Sequence, residues 1–169
     1  ELVIASSTYP ADNYLARRLA RKSKSLHFYE VHDLWPLSPI ELGGMSKWHP
    51  FIMWMQMAEN FAYRKSDAVI SMLPNTLEHM KAHGMKEEKW HYVPNGFVKD
   101  DWKSPMALNQ KTFQQISKIK KSFNYTIAYT GTLGLANALD TFVDAAAKIE
   151  RQDIAFVMVG TGPEKVRLN

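Results

Sequence analysis

The sequence predicts an α/β fold built on parallel sheets, and three observations predict it. Short runs of strand length alternate with segments in which apolar residues recur at helical spacing. Turn-forming residues follow these runs, and glycines follow the last two of them. The last run, Ile154–Val159, is apolar throughout, which is typical of a parallel strand covered by helices on both faces.

Four predicted strands lie in the first 101 residues, and helices connect them. The strands cover residues 2–5, 26–31 and 67–71, with a short fourth strand from His91 that runs into the Asn95-Gly96 turn. Helical periodicity predicts helices over residues 12–19, 48–63 and 77–81. Prolines and glycines between residues 36 and 44 interrupt regular structure before the second of these helices.

The pattern changes between residues 102 and 122, where Asn, Gln and Lys are frequent. Phe113, Ile116 and Ile119 share one helical face there, so we expect a short helix within a linker. Residues 123–169 then hold a strand, an amphipathic helix and a second strand, the order of a βαβ unit. The end of the chain, from Gly162, looks like the first turns of another helix. We therefore divide the chain at residues 1–101, 102–122 and 123–169.

Composition excludes several classes of function. The 169 residues are 46% hydrophobic and 22% charged, which indicates a globular protein. Because cysteine is absent, disulfides, thiolate metal sites and cysteine nucleophiles are excluded. The net charge of +4 is too small to indicate nucleic-acid binding, but it favours an anionic ligand or a membrane surface.

Ligands of open α/β sheets bind at the carboxyl ends of the strands, and this rule selects the candidate site residues. His32 and Asp33 follow the second strand, where an imidazole can move a proton and a carboxylate can orient a ligand. The alternative is that Asp33 only caps the loop. Glycines at 131–134 and 160–162 allow a phosphate to approach the backbone, although they also suit ordinary turns.

Two further segments have two interpretations each. His79 and His83 are four residues apart on a predicted helix, but the HExxH order is absent and no third ligand is apparent, so we expect no metal. The segment from Trp48 to Phe61 is too short and interrupted to span a bilayer. Its apolar residues cover more than one helical stripe, which suits either a buried helix or contact with a membrane surface or lipid acceptor.

Five segments occur in an order that resembles the retaining GT-B glycosyltransferases of the family-four type. They are Glu30–Pro36, Glu59–Ser71, Val93–Gly96, Tyr129–Gly134 and Val159–Pro163. The resemblance extends over essentially the whole chain and is closest to the branch that builds bacterial surface polysaccharides. It implies two Rossmann-like GT-B domains with parallel sheets, both incomplete in this chain.

The resemblance also implies an activity, its substrates and its site residues. A sugar moves from a nucleotide-sugar donor, held mainly by the C-terminal domain, to a saccharide or lipid-linked saccharide held mainly by the N-terminal one, without metal or cofactor. The implied residues are His32 and Asp33 at the transferred sugar, Asn95 and Gly96 near the domain crossover, and Gly131, Thr132, Gly134, Asn137, Gly160 and Gly162 at the donor. We expect a cytoplasmic location, and the 48–61 segment leaves peripheral attachment to the inner membrane face open.

The sequence departs from the family pattern in two places. Arg and Lys that contact the diphosphate in many members are replaced by Leu133 and Asn137. The acidic Glu-x7-Glu motif is expected beyond residue 169, so we expect the middle of an enzyme that is inactive alone. Two alternatives remain, a nucleotide-sugar 2-epimerase of the same fold and a non-catalytic nucleotide-binding domain.

Overall fold

The computed structural model describes residues 1–103 and 107–168, and the chain divides into two compact units. The first unit is Glu1–Phe97 and the second is Val98–Asn169. All strands pair in parallel within their own sheet, and helices connect them. The predicted α/β class with parallel sheets is confirmed.

The first unit is a four-stranded sheet with its connecting helices. In chain order its elements are β1 (Leu2–Ser7), α1 (Asp12–Ser23), β2 (Leu26–Val31), α2 (Leu37–Glu41), α3 (Pro50–Lys65), β3 (Ala68–Ser71), α4 (Leu77–Ala82) and β4 (Trp90–Tyr92). The strand order is β1-β2-β3-β4. Ser6 pairs with Glu30, and Val31 pairs with Ser71, so the carboxyl ends of these strands lie at one edge.

The core of this unit forms where the sheet meets its helices. Tyr29, Val31 and Val69 of the sheet are almost fully buried against Tyr63 of α3 and Met80 of α4. The buried face of α1 consists of small residues, including Ala16 and Ala20. Small side chains at this position allow the helix to pack closely against the sheet.

Helix α3 is buried on one side and exposed on the other. Pro50 begins the helix, and the His49 imidazole accepts a hydrogen bond from the Phe51 backbone N–H (3.2 Å). One stripe of the helix, which consists of Ile52, Met55, Ala58, Glu59, Ala62 and Tyr63, is buried. The other side exposes Met53, Trp54 and Met57. The segment is therefore a core helix that also presents apolar side chains to solvent.

No helix within residues 1–103 and 107–168 combines the length and the apolar character needed to cross a membrane.

One aspartate ties α1 to the sheet. The Asp67 carboxylate accepts hydrogen bonds from the His27 backbone N–H (2.8 Å) and from Arg17 (3.0 Å). Burial opposes ionisation of Asp67, but these two donors outweigh it and lower the pKa of the carboxyl. A lowered pKa means that the contacts stabilise the fold at neutral pH and lose strength as the pH falls through the folded-state pKa.

The second unit contains a two-stranded parallel sheet. Its regular elements are α5 (Gln110–Ser122), β5 (Tyr125–Thr130), α6 (Asp140–Lys148) and β6 (Ile154–Val159), with 3₁₀ turns at Lys99–Trp102 and Leu135–Asn137. Helix α5 is the helix expected within the 102–122 segment, and Asn109 caps it by accepting from the Thr112 N–H (2.9 Å). Residues 161–167 form turns and bends, so the further helix expected from Gly162 is absent from the described residues.

We predict that Met55→Ala lowers the free energy of unfolding by about 2–5 kcal/mol, because a buried side chain leaves a cavity behind. The matched control is Met53→Ala on the same helix, because Met55 is 1% exposed and Met53 is 48% exposed. We expect the control to change stability by less than about 0.5 kcal/mol. Chemical denaturation followed by circular dichroism measures both, and equal effects would contradict the orientation of α3.

Candidate functional site

Three polar side chains meet where β1 and β2 end. The His32 Nε2 atom lies 2.9 Å from the Ser6 hydroxyl oxygen and 3.3 Å from the Glu30 carboxylate. Ser6 and Glu30 are register partners, and Glu30 stands two residues before His32 in the chain. Parallel pairing therefore assembles the group, since alternate residues of a strand point to the same face.

The electrostatics of this group favour an ionised glutamate. The hydrogen bond from Ser6 is the main cause that lowers the pKa of Glu30; partial burial opposes it, and His32 adds to the lowering. When the imidazole carries its proton on Nε2, it donates to the Glu30 carboxylate, and Nδ1 becomes the basic nitrogen. The His32 side chain is 39% exposed, so a ligand can reach it. Chemically, the group can position a hydroxyl or accept its proton.

Asp33 has a different environment from His32. Its Oδ1 atom accepts hydrogen bonds from the Leu34 N–H (2.8 Å) and the Ser38 hydroxyl (2.7 Å). These bonds fix the loop that leads into α2. The loop contains a cis peptide bond between Trp35 and Pro36. The contacts of Asp33 are those of a loop cap.

The glycine turns that follow β5 and β6 are in contact. The Gly131 N–H donates to the Val159 carbonyl (3.0 Å), and the Leu133 N–H donates to the Thr161 carbonyl (3.0 Å). A Cβ at Gly160 would overlap the carbonyl oxygen of Gly131, and one at Gly162 would overlap that of Leu133. The two turns form one surface because the strands before them are paired.

Leu133 and Asn137 hold this loop in place. Leu133 is buried, and the Asn137 amide donates to the Thr132 carbonyl (2.7 Å), which also accepts from the Tyr129 hydroxyl (2.8 Å). These residues stand where the resemblance expects Arg and Lys, and their contacts supply rigidity rather than positive charge. Arg167 follows the second glycine turn along the chain, but it pairs with Asp140 (2.6 Å) and with Glu164.

The remaining pair of candidates, Asn95 and Gly96, lies in the exposed segment after β4. This segment leaves the sheet at Val93, whose N–H donates to the Ser71 carbonyl (2.9 Å). The space around Gly96 is open, since a Cβ there would meet no heavy atom within 4 Å.

Sequence reasoning missed a polar cluster between α3 and α4. The buried Glu59 carboxylate accepts hydrogen bonds from His79 (2.9 Å) and from the Tyr63 hydroxyl (3.0 Å). The ring centroid of His83 is 4.5 Å from that of His79, and burial lowers the pKa of His83. The expectation that these histidines have no third acidic neighbour was wrong. Glu59 is twenty residues from His79, so only the packing of the two helices reveals it.

Comparison with known proteins assigns the first unit to a family. Residues 1–96 match the family model of the glycosyl transferase 4-like domain. No protein of the curated collection matches the chain.

Solved structures of HepE from Anabaena share the fold of the chain. The complexes with UDP-glucose, with UDP and glucose, and with UDP align with TM-scores of 0.65, 0.67 and 0.69 at 18%, 17% and 15% identity. The alignments cover 95–99% of this chain but only 40–42% of HepE. The chain thus spans less than half the length of the protein that it matches. The predicted fold class, an α/β protein of the GT-B type with parallel sheets, is confirmed by this similarity.

We predict that Gly160→Ala disrupts the paired turns while Gly134→Ala leaves them intact. A Cβ at Gly160 has no room, whereas one at Gly134 would meet only a Thr132 methyl at 3.7 Å. Overpacking of this kind costs about 1–3 kcal/mol. Hydrogen–deuterium exchange of amides 125–134 should accelerate roughly fivefold or more in Gly160→Ala alone, which corresponds to about 1 kcal/mol or more. Equal exchange in both variants would contradict the close approach.

Proposed function

The chain belongs to the glycosyl transferase 4-like domain family, and we propose that it is part of a retaining enzyme that transfers a sugar from a nucleotide-sugar donor to a saccharide acceptor. The observation that carries this proposal is the Ser6–Glu30–His32 group at the carboxyl edge of the family-matched unit. Such edges are where α/β proteins bind ligands. The basic imidazole there can bind a hydroxyl of the transferred sugar or of the acceptor.

The paired glycine turns of the second unit are the proposed donor site. Gly160 and Gly162 let the two turns pack against each other at the carboxyl ends of β5 and β6, and α6 begins a few residues beyond the first turn. HepE, which shares the fold, was crystallised with UDP-glucose and with UDP, and this supports a UDP-sugar as the donor. The donor sugar is a hexose or an N-acetylamino sugar in this proposal.

The proposed reaction exchanges one glycosidic bond for another. The bond between the anomeric carbon and the diphosphate oxygen breaks, and a bond from that carbon to an acceptor hydroxyl oxygen forms. The departing diphosphate takes the electron pair of the broken bond, and the proton of the acceptor hydroxyl leaves with the diphosphate. Stabilisation of the diphosphate then depends on the N-terminus of α6 rather than on side chains at 133 and 137, because the N–H groups of Gly131, Leu133 and Gly134 already donate to backbone carbonyls.

The acceptor in this proposal is lipid-linked and belongs to bacterial polysaccharide synthesis. Exposed Met53 and Met57 of α3 line a groove of about 380 Å³ together with Lys47 and Trp48, and Trp54 is exposed on the same helix. Neighbouring grooves are lined by the basic residues Arg18, Arg21, Lys22, Arg64 and Lys65, for which the described part of the chain provides no carboxylate partner. Apolar side chains bordered by cations suit the interface of an anionic membrane.

The transferase proposal is tested with the complete gene product and radiolabelled UDP-sugars. Transfer of label to a polyprenyl-diphosphate saccharide, with retention of configuration, supports it. Conversion of the UDP-sugar to its 2-epimer without an acceptor would instead show the epimerase. Binding of UDP in calorimetry without either reaction would instead show the non-catalytic nucleotide-binding domain.

We predict that His32→Ala lowers turnover of the complete enzyme by about 10²-fold or more, which is the effect expected when a positioning or proton-transfer group is removed. The melting temperature should stay unchanged, because the His32 side chain is partly exposed and lies outside the core. His91→Ala, at another exposed histidine of the same sheet, is the matched control and should keep full turnover. Wild-type turnover in His32→Ala would remove the role proposed for the imidazole.

We predict that Trp54→Ser combined with Met57→Ser weakens binding to phosphatidylglycerol-containing vesicles at least about tenfold. Full burial of an apolar side chain contributes about 1.5–3 kcal/mol, so covering these two half-exposed side chains together contributes at least roughly the 1.4 kcal/mol to which tenfold corresponds. Vesicle co-sedimentation measures the effect, with uncharged phosphatidylcholine vesicles as the comparison.

The matched control replaces two exposed leucines of α1, Leu15→Ser and Leu19→Ser. These side chains line a separate groove against β1, not the groove beside α3. Vesicle binding should be retained in the control. Equal loss in both pairs, or unfolding of the α3 pair, would contradict a membrane surface on α3.

A further inference from the structure

The polar cluster between α3 and α4 brings three potential metal ligands together. One ligand atom from each of Glu59, His79 and His83 lies within 4.8 Å of the other two. The two histidines lie four residues apart, at the last turn and the C-terminal end of α4, so their rings lie side by side. The set of two imidazoles and one carboxylate is the donor set of many zinc sites.

The charge of this cluster is unbalanced without a cation. The Glu59 carboxylate is 1% exposed, and a buried carboxylate needs a compensating positive charge. Within the described residues, neither Lys nor Arg pairs with Glu59. The compensating charge must come from a proton on His79 or from a bound cation.

The donors and acceptors of the cluster cannot all be matched with one another. The Gln56 amide nitrogen has two hydrogens but lies near three acceptors, Glu59 Oε2 (2.6 Å), Asn60 Oδ1 (3.0 Å) and His83 Nδ1 (2.9 Å). His83 Nδ1 also lies 3.1 Å from Asn60 Oδ1. With either tautomer of His83, one of these contacts joins two donors or two acceptors. Exchanging the nitrogen and oxygen of the Gln56 or the Asn60 amide creates another contact of this kind. A cation that accepts lone pairs removes the mismatch.

We infer that Glu59, His79 and His83 bind a divalent transition-metal ion of the Zn²⁺ class. Nitrogen and carboxylate ligands favour such an ion over Mg²⁺, which prefers oxygen ligands and octahedral geometry. In a tetrahedral site with bonds of about 2.0–2.1 Å, ligand atoms are roughly 3.3 Å apart, so side-chain rotations suffice to form it. On binding, the His79 nitrogen that donates to Glu59 must lose its hydrogen, which moves to the other ring nitrogen of a neutral imidazole or passes to solvent from an imidazolium.

The surroundings suit an ion that enters from solvent. Gln56 and Asn60 line the groove of about 380 Å³ beside α3, so the cluster lies directly beneath a surface depression. The His79 side chain is 21% exposed. The Tyr63 hydroxyl donates to Glu59 (3.0 Å) and holds the carboxylate in orientation, as outer partners of metal ligands do.

The consequence of binding is a link between α3 and α4. Both helices pack on the sheet of the first unit, and an ion that binds only the folded state raises its stability. The metal is structural in this inference and takes no part in sugar transfer. The inference therefore stands or falls independently of the proposed function.

The experiment measures Zn²⁺ binding to the metal-free chain by competition with a chromophoric chelator. We expect one Zn²⁺ per chain, a higher melting temperature with Zn²⁺ and no such effect of Mg²⁺. His79→Asn and His83→Asn should each weaken binding at least about tenfold and abolish the gain in melting temperature. Asparagine retains a polar group at each position. His91→Asn, outside the cluster, is the matched control and should bind as the unchanged chain does.

Co²⁺ provides an independent readout, because its visible absorption reports a tetrahedral site with nitrogen ligands. Equal Zn²⁺ binding by His83→Asn and His91→Asn would overturn the inference, as would the absence of binding to the unchanged chain. Glu59→Gln removes the carboxylate ligand and should also weaken Zn²⁺ binding. If this buried substitution prevents folding, the two histidine variants decide the result.

Discussion

Parallel strand pairing is the constraint on which both candidate regions depend. The register that places Ser6 opposite Glu30 also brings His32 to their edge. The register between β5 and β6 brings the first glycine turn against the second. A shift by one residue between β1 and β2 would turn the Ser6 side chain to the other face, so His32 would keep Glu30 but lose Ser6.

Helix α3 combines three roles that usually belong to separate elements. One stripe completes the core, the opposite side exposes Met53, Trp54 and Met57, and Glu59 stands among the buried residues as a charged group. The apolar stripe holds the helix on the sheet strongly enough to keep this carboxylate buried. The His79 and Tyr63 contacts then reduce the cost of burying it.

Hydrogen bonds within the second unit hold the two glycine turns rigid. Backbone hydrogen bonds join the turns, while Tyr129 and Asn137 both donate to the Thr132 carbonyl. The loop is therefore fixed before any ligand arrives, and a preorganised backbone loses little entropy on binding. Glycine is required at 160 and 162 because neighbouring carbonyl oxygens occupy the space that a Cβ would take.

The sequence by itself determined the order of the strands and of the longer helices, the parallel class and the family, since period, turn residues and ordered motifs are local properties. It also placed His32 and the glycine turns at strand ends. It was wrong about α2, where prolines and glycines predicted no regular structure, and about the helix expected from Gly162. Only the tertiary structure decided that Asp33 caps a loop, that Ser6 joins Glu30 and His32, and that Glu59 meets His79. Each of these contacts joins side chains whose distance is set by loop geometry, strand register or helix packing, and spacing along the chain does not encode it.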